Sequence, residues 1–166
     1  MKSRKIKTGI TFSCFDLLHA GHIRMLAEAK SQCDYLIVGL QTDPTIDRPE
    51  KNKPVQTVVE RYTQLKGCQY VDEIIPYTTE RDLEDILKLY PIDIRILGDE
   101  YKDKNFTGRS FCEEKGITLY YNKRHHRFSS TLLRSEVYKK EKAKNLPADV
   151  QPEITSSQFT KNGKIT

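Results

Sequence analysis

The sequence predicts an α/β protein with a Rossmann-like, five-stranded parallel sheet and helices on both faces. Three observations predict it. Short apolar runs alternate with amphipathic stretches in the order βαβαβαβαβα. Strands alternating with helices join by right-handed crossovers into a parallel sheet. The run DYLIVGL, Asp34–Leu40, is continuously apolar after its first residues, as a strand buried on both faces must be. Finally, the polar stretches Ser13–His22, Thr42–Lys53 and Lys123–Thr131 each follow a strand, so they gather at the carboxyl edge where such sheets bind ligands.

Each element has its own reason. Ile6–Phe12 alternates and then turns apolar, a first strand. Gly21–Ser31 places Ile23, Leu26 and Ala29 at helical spacing, widened by Met25 and Ala27. After the second strand, three prolines (Pro44, Pro49, Pro54) among charges make a loop. A helix is expected over Val58–Gly67, then a strand at DEIIPY, Asp72–Tyr77. TERDLEDILKLY, Thr79–Tyr90, is a helix with Thr79 as N-cap and an acidic first turn that suits the helix dipole. Ile92–Leu97 is the fourth strand. Arg109–Gly116 is a short helix, Ile117–Asn122 the fifth strand and Ser129–Lys144 a final helix.

The chain has 166 residues. One domain over 1–145 and a flexible polar tail over 146–166, with Pro147 and Pro152 and no hydrophobic period, are expected. No apolar run approaches the length of a membrane span, and the basic start lacks the apolar core of a signal peptide. Cys14, Cys33, Cys68 and Cys112 include no CxxC pair and read as free thiols of a cytoplasmic protein. Net charge is +5 and local: residues 122–144 hold eight Lys and Arg against two Glu. That cluster gathers at one loop and helix and does not alternate with exposed aromatics, which argues against a nucleic-acid groove. There is no GxxxxGK[ST], and no GxGxxG follows the first strand, so neither a P-loop nor a dehydrogenase-type dinucleotide site is expected.

The chemistry-bearing residues lie in the strand-end loops. His19 and His22 are three apart at the head of the first helix, with Gly21 between them to let backbone approach a ligand. Both rings can donate to one phosphoryl group and stabilise charge on its oxygens. A single histidine there more often serves a buried partner of its own. This pair has company, however: KRHHRFSST sets Lys123, Arg124 and Arg127 just before a helix start, where cations oppose the dipole unless an anion is bound. Lys51 and Lys53 become a phosphate clamp if the middle loop folds over the site.

FDLLHAGH, Phe15–His22, resembles the HxGH motif of the nucleotidyltransferase superfamily, and its FDLL lead matches the cytidylyltransferases. The likeness runs from about Ile6 to Glu136. It takes in Thr42-Asp43, Lys51 with Glu60-Arg61, YVDEIIP at Tyr70–Pro76, LGDEY at Leu97–Tyr101, and Arg124 with Ser129-Ser130-Thr131. The resemblance, closest to the glycerol-3-phosphate type, implies transfer of CMP from CTP to a small phosphorylated acceptor with loss of pyrophosphate. The acceptor is glycerol 3-phosphate-like, phosphoethanolamine or phosphoglutamine. It implies His19, His22, Lys51 and Arg124 as catalytic; Phe15, Asp16, Gly21, Asp99, Ser129, Ser130 and Thr131 as nucleotide-binding; Asp43, Arg61, Gln69 and Arg127 as acceptor-binding. It further implies Mg²⁺ on the triphosphate, no metal held by the protein itself, and a homodimer.

The sequence departs from that pattern at Ser13-Cys14, where the family has Gly-Thr or Gly-Ser, at Arg127, where it has glycine, and at Gln69, where it has arginine. An alternative is adenylyl transfer from ATP, of the heptose-phosphate or flavin type, because heptose-phosphate adenylyltransferases share CFDxLHAGH, as from Cys14 here. An alternative of another class is a non-enzymatic nucleotide- or nucleic-acid-binding module.

Overall fold

A computed structural model describes residues 4–123 and 128–144. The strands are β1 (Thr8–Ser13), β2 (Tyr35–Gln41), β3 (Glu73–Tyr77), β4 (Ile94–Gly98) and β5 (Thr118–Asn122). The helices are α1 (Ala20–Ser31), α2 (Val58–Lys66), α3 (Glu80–Leu89), α4 (Arg109–Glu114) and α5 (Ser130–Lys144). A 3-10 turn, Asp99–Tyr101, that the sequence reading leaves out follows β4. The five strands form one sheet in the order β3-β2-β1-β4-β5, every pair parallel, as the alternation predicts.

The sheet is buried from both sides, and its alternation shows how. Leu36, Val38 and Leu40 of β2 face a core shared with Leu26 and Ala29 of α1 and Leu65 of α2. Ile37, between them, faces a second core with Leu83, Ile86 and Leu87 of α3 and Cys112 of α4. So α1 and α2 cover one face, and α3 and α4 the other. The loops after β1 and β4 leave adjacent strands on opposite sides and open a crevice at their carboxyl ends, the switch point where open α/β sheets bind ligands. At the amino ends, carboxylates fix the chain: Asp34 accepts from the Lys7 N–H at 2.9 Å and Asp93 from the Thr8 N–H at 2.9 Å.

The chain divides into two compact units, Met1–Ser130 and Thr131–Thr166. The sheet, α1–α4 and Ser130 belong to the first; α5 beyond Ser130 belongs to the second. All four cysteines are free. Among the described residues no helix is long and apolar enough to cross a membrane.

Candidate active site

The cleft at the carboxyl ends of β1 and β4 has a volume of about 850 Å³. His19, Gly21 and His22 line it, with Met25, Glu28, Asn122, Lys123 and Ser130 on the α1 face and Phe12, Arg48, Tyr77, Glu80, Arg95 and Phe106 on the α3–α4 face.

The histidines are built into the head of α1. His19 is its N-cap, and its Nδ1 accepts from the Gly21 N–H at 3.0 Å and the His22 N–H at 3.4 Å. His22, at N3, returns the bond: its Nδ1 accepts from the His19 N–H at 3.4 Å. This is a capping box made from two imidazoles instead of a hydroxyl and a carboxylate. The rings stack, with centroids 3.9 Å apart and planes 18° apart. Because both Nδ1 atoms accept, each neutral ring carries its proton on Nε2. The Gly21 N–H is occupied by the His19 ring, while Gly21 itself lines the cleft. No acidic residue stands in the first turn of α1.

The loop into α1 is strained and held. Phe15 and Leu17 have φ of 50° and 51°, rare for residues with side chains. Phe15, 1% exposed, packs its ring 5.4 Å from that of His22. Asp16 is buried and accepts from the N–H groups of Val55 (3.1 Å) and Gln56 (2.9 Å), and Gln56 Oε1 accepts from the Leu17 N–H at 2.8 Å. Ser130 Oγ donates to the Asp16 carbonyl at 3.0 Å. Phe15 thus supports a ring of the cap, and Asp16 anchors the loop.

Arg61 is corrected more sharply. The resemblance assigns it to the acceptor, but it is 2% exposed. Its guanidinium donates to the carbonyls of Cys14 (2.8 Å), Gln41 (2.6 Å), Thr42 (2.6 Å) and Gln56 (3.1 Å). It braces the ends of β1 and β2, and the acceptor cannot reach it. Gln69 is also corrected. It is exposed and precedes β3, so it stands at the amino edge of the sheet, opposite the cleft.

Asp43 closes a turn on Thr45, whose hydroxyl and N–H hold its carboxyl below the usual carboxylate range. Lys53 lies 3.9 Å from it. Lys51 is exposed and outside the cleft lining; the cation this loop gives the cleft is Arg48. Asp99 is exposed beside Gly98 and Glu100, which do line the cleft. Ser129 is half-buried, and Thr131 is an exposed residue of the second unit. Arg124 and Arg127 lie outside the described residues, as do the tail and its expected flexibility.

Arg95 and Arg48 are cleft residues that the sequence reading leaves out. For Arg95 a signal is present: a charge in the middle of IDIRIL, an otherwise apolar strand, has to be paired or put to use. Burial lowers its pKa, and the same desolvation pushes the Tyr77 hydroxyl well up.

Known proteins resemble this arrangement. Bifunctional HldE proteins match it: that of Caulobacter vibrioides is 36% identical over 108 residues, covering 64% of this chain and 22% of its own length. That of Paramagnetospirillum magneticum is 37% identical over 111 residues, covering 66% and 22%. The chain thus spans less than a quarter of the length of these curated relatives. A lipopolysaccharide core biosynthesis protein from Thermoplasma volcanium superposes over 75% of this chain and all of its own, with a TM-score of 0.59 and 26% identity. A pantothenate synthetase from Thermus thermophilus, 12% identical with a TM-score of 0.55 over 82% of this chain and 65% of its own, shares the fold. The cytidylyltransferase-like family model matches residues 10–136, from β1 into α5, and the chain belongs to that family as an enzyme of the nucleotidyltransferase class.

Proposed function

We propose that this enzyme transfers the adenylyl group of ATP to a sugar phosphate and releases pyrophosphate. The observation that carries nucleotidyl transfer is the histidine cap: two Nε2-protonated rings, stacked at a helix head without acidic residues, facing one cleft. An oxygen of the acceptor phosphate attacks the α-phosphorus. The bond from that phosphorus to the bridging oxygen of the β-phosphate breaks, and pyrophosphate leaves with the electron pair. The acceptor is already an anion, so no general base is required. The imidazole N–H groups and the helix dipole stabilise the charge that grows on the phosphoryl oxygens. Lys123 adds a cation to the same face.

Asn122 supports an amino-bearing base. Its Nδ2 donates to the Met25 carbonyl at 3.1 Å, while its buried Oδ1 lacks a partner. The exocyclic amino group of adenine or cytosine would satisfy that oxygen. ATP is favoured because Cys14–His22 matches the heptose-phosphate adenylyltransferases at CFDxLHAGH. The relatives, bifunctional HldE proteins and a lipopolysaccharide core biosynthesis protein, agree with a sugar-phosphate acceptor. The CTP reading keeps one specific support, Arg124 with Ser129-Ser130-Thr131. Mg²⁺ enters with the nucleotide, whose triphosphate supplies its oxygen ligands. A nucleotide donor places the reaction in the cytoplasm.

Pyrophosphate release measured with ATP, CTP and UTP over a panel of sugar phosphates tests this. ATP should give the fastest release and UTP the slowest. Faster release with CTP would overturn the adenylyl reading and reinstate the cytidylyl one.

A further inference from the structure

The α3–α4 face of the cleft has no part in the chemistry at the histidines, yet it is not a plain wall. Its floor is Arg95. Ile94 and Ile96 point into the α1–α2 core, so Arg95 between them points the other way. It is 4% exposed and lies 5.2 Å from the centre of the Phe12 ring and 5.0 Å from that of Phe106. Its Nη1 donates to the Thr107 carbonyl at 2.6 Å. Gly108 makes room for it, since a Cβ there would stand 3.0 Å from Nη1. The Cys112 thiol lies beside the Arg95 guanidinium, but among the described residues no carboxylate pairs with it, and its buried Nε has no hydrogen-bond partner.

Two further buried nitrogens share that state, Arg48 Nε and Gln41 Nε2. They are neighbours: Arg48 Nη2 donates to Gln41 Oε1 at 3.0 Å. Arg48 lines the same lobe as Arg95 and sits 3.3 Å from the Glu80 carboxylate, the one ion pair the two guanidiniums make among the described residues; the Asp47 carboxylate stands on the Glu80 N–H. All three unpartnered atoms are donors. Buried donors are costly to leave unpaired, and an excess positive charge beneath them selects an anionic acceptor group.

We propose that this lobe is the acceptor subsite, and that the acceptor carries an acidic group, carboxylate or phosphate, in addition to the phosphate that attacks. Arg95 and Arg48, which line the cleft, receive that second group, with Gln41 holding Arg48 from behind, while the reacting phosphate faces the histidines. The proposal rests on nucleotidyl transfer at the α1 head, which fixes where the reacting end must lie.

Three probes of similar length separate the possibilities: glycerol 3-phosphate, 3-phosphoglycerate and propane-1,3-diol bisphosphate, titrated calorimetrically into the full chain. A single charge-assisted hydrogen bond is worth about tenfold in affinity or more. The diacidic probes should therefore bind at least about tenfold tighter than glycerol 3-phosphate. Tighter binding of 3-phosphoglycerate identifies the second group as a carboxylate; tighter binding of the bisphosphate identifies a phosphate. Arg95→Met should erase the preference. Arg48→Gln, at a half-buried loop position outside the sheet, should reduce it and keeps the test valid if Arg95→Met does not fold. Equal binding of all three probes, or a preference that survives in every folded variant, overturns the proposal. Failure of the transfer reading would show separately, as absence of pyrophosphate release with every donor.

Discussion

The heads of α1 and α3 share one motif and put it to opposite uses. At α3, Thr79 caps, Asp82 returns the bond, and Glu80 and Asp82 fill the first turn with negative charge. The Asp47 carboxylate also accepts from the Glu80 N–H at 2.6 Å. The positive end of that helix is neutralised by its own chain. At α1 the hydroxyl and carboxylate are replaced by His19 and His22, and no acid stands in the first turn. The box still closes, but the charge that complements the dipole must come from outside. Under the proposed function, a structural cap and a phosphate-handling cap differ here by two side chains.

The largest effects should separate the two heads by activity. His19→Ala and His22→Ala should each slow pyrophosphate release by about 10²–10³, the loss seen when a transition-state donor is removed. Thr79→Ala should leave turnover unchanged in an assay run beside them. Stability gives a second scale. Arg61→Met, which strips donors from four backbone carbonyls around the loop into α1, should cost about 3 kcal/mol or more in urea unfolding. Thr79→Ala should cost about 1 kcal/mol by the same measurement.

The smallest effect is a pH dependence. The N–H of Thr79, then that of Thr78, hold the Asp82 pKa below its ordinary value. A carboxyl with a lowered folded pKa contributes stability that is present above its unfolded pKa and lost as pH falls through the folded one. Wild type and Asp82→Asn should therefore differ in melting temperature at neutral pH and converge in acid. A constant gap down to the lowest pH would assign the effect to something other than the carboxylate.

Much of this is legible in the sequence. The alternation of strands and helices specifies a parallel sheet, and helix starts at Thr57 and Thr79 are readable because a hydroxyl followed three residues later by an acid is a local signal. HAGH is readable for its two histidines, though their reciprocal capping is not, since histidine is not an ordinary N-cap. What stays hidden depends on tertiary contacts. Nothing near Arg61 in the chain shows that four carbonyls, one of them Cys14, 47 residues away, use up its donors. Gln69 falls at the far edge of the sheet because position within a motif does not report which end of a strand it precedes. Arg48 reaches the cleft in place of Lys51 through the path of a proline-rich loop that has no periodicity to read.

The most direct test of the account is His22→Glu. It turns the α1 cap into the kind found at α3, with an acid at N3 that can return the bond to the His19 N–H. The variant should melt at the wild-type temperature or above and release pyrophosphate at least about 10²-fold more slowly, because the added charge occupies the place of the phosphoryl group and a ring donor is gone. A folded His22→Glu protein with near-normal turnover would contradict it.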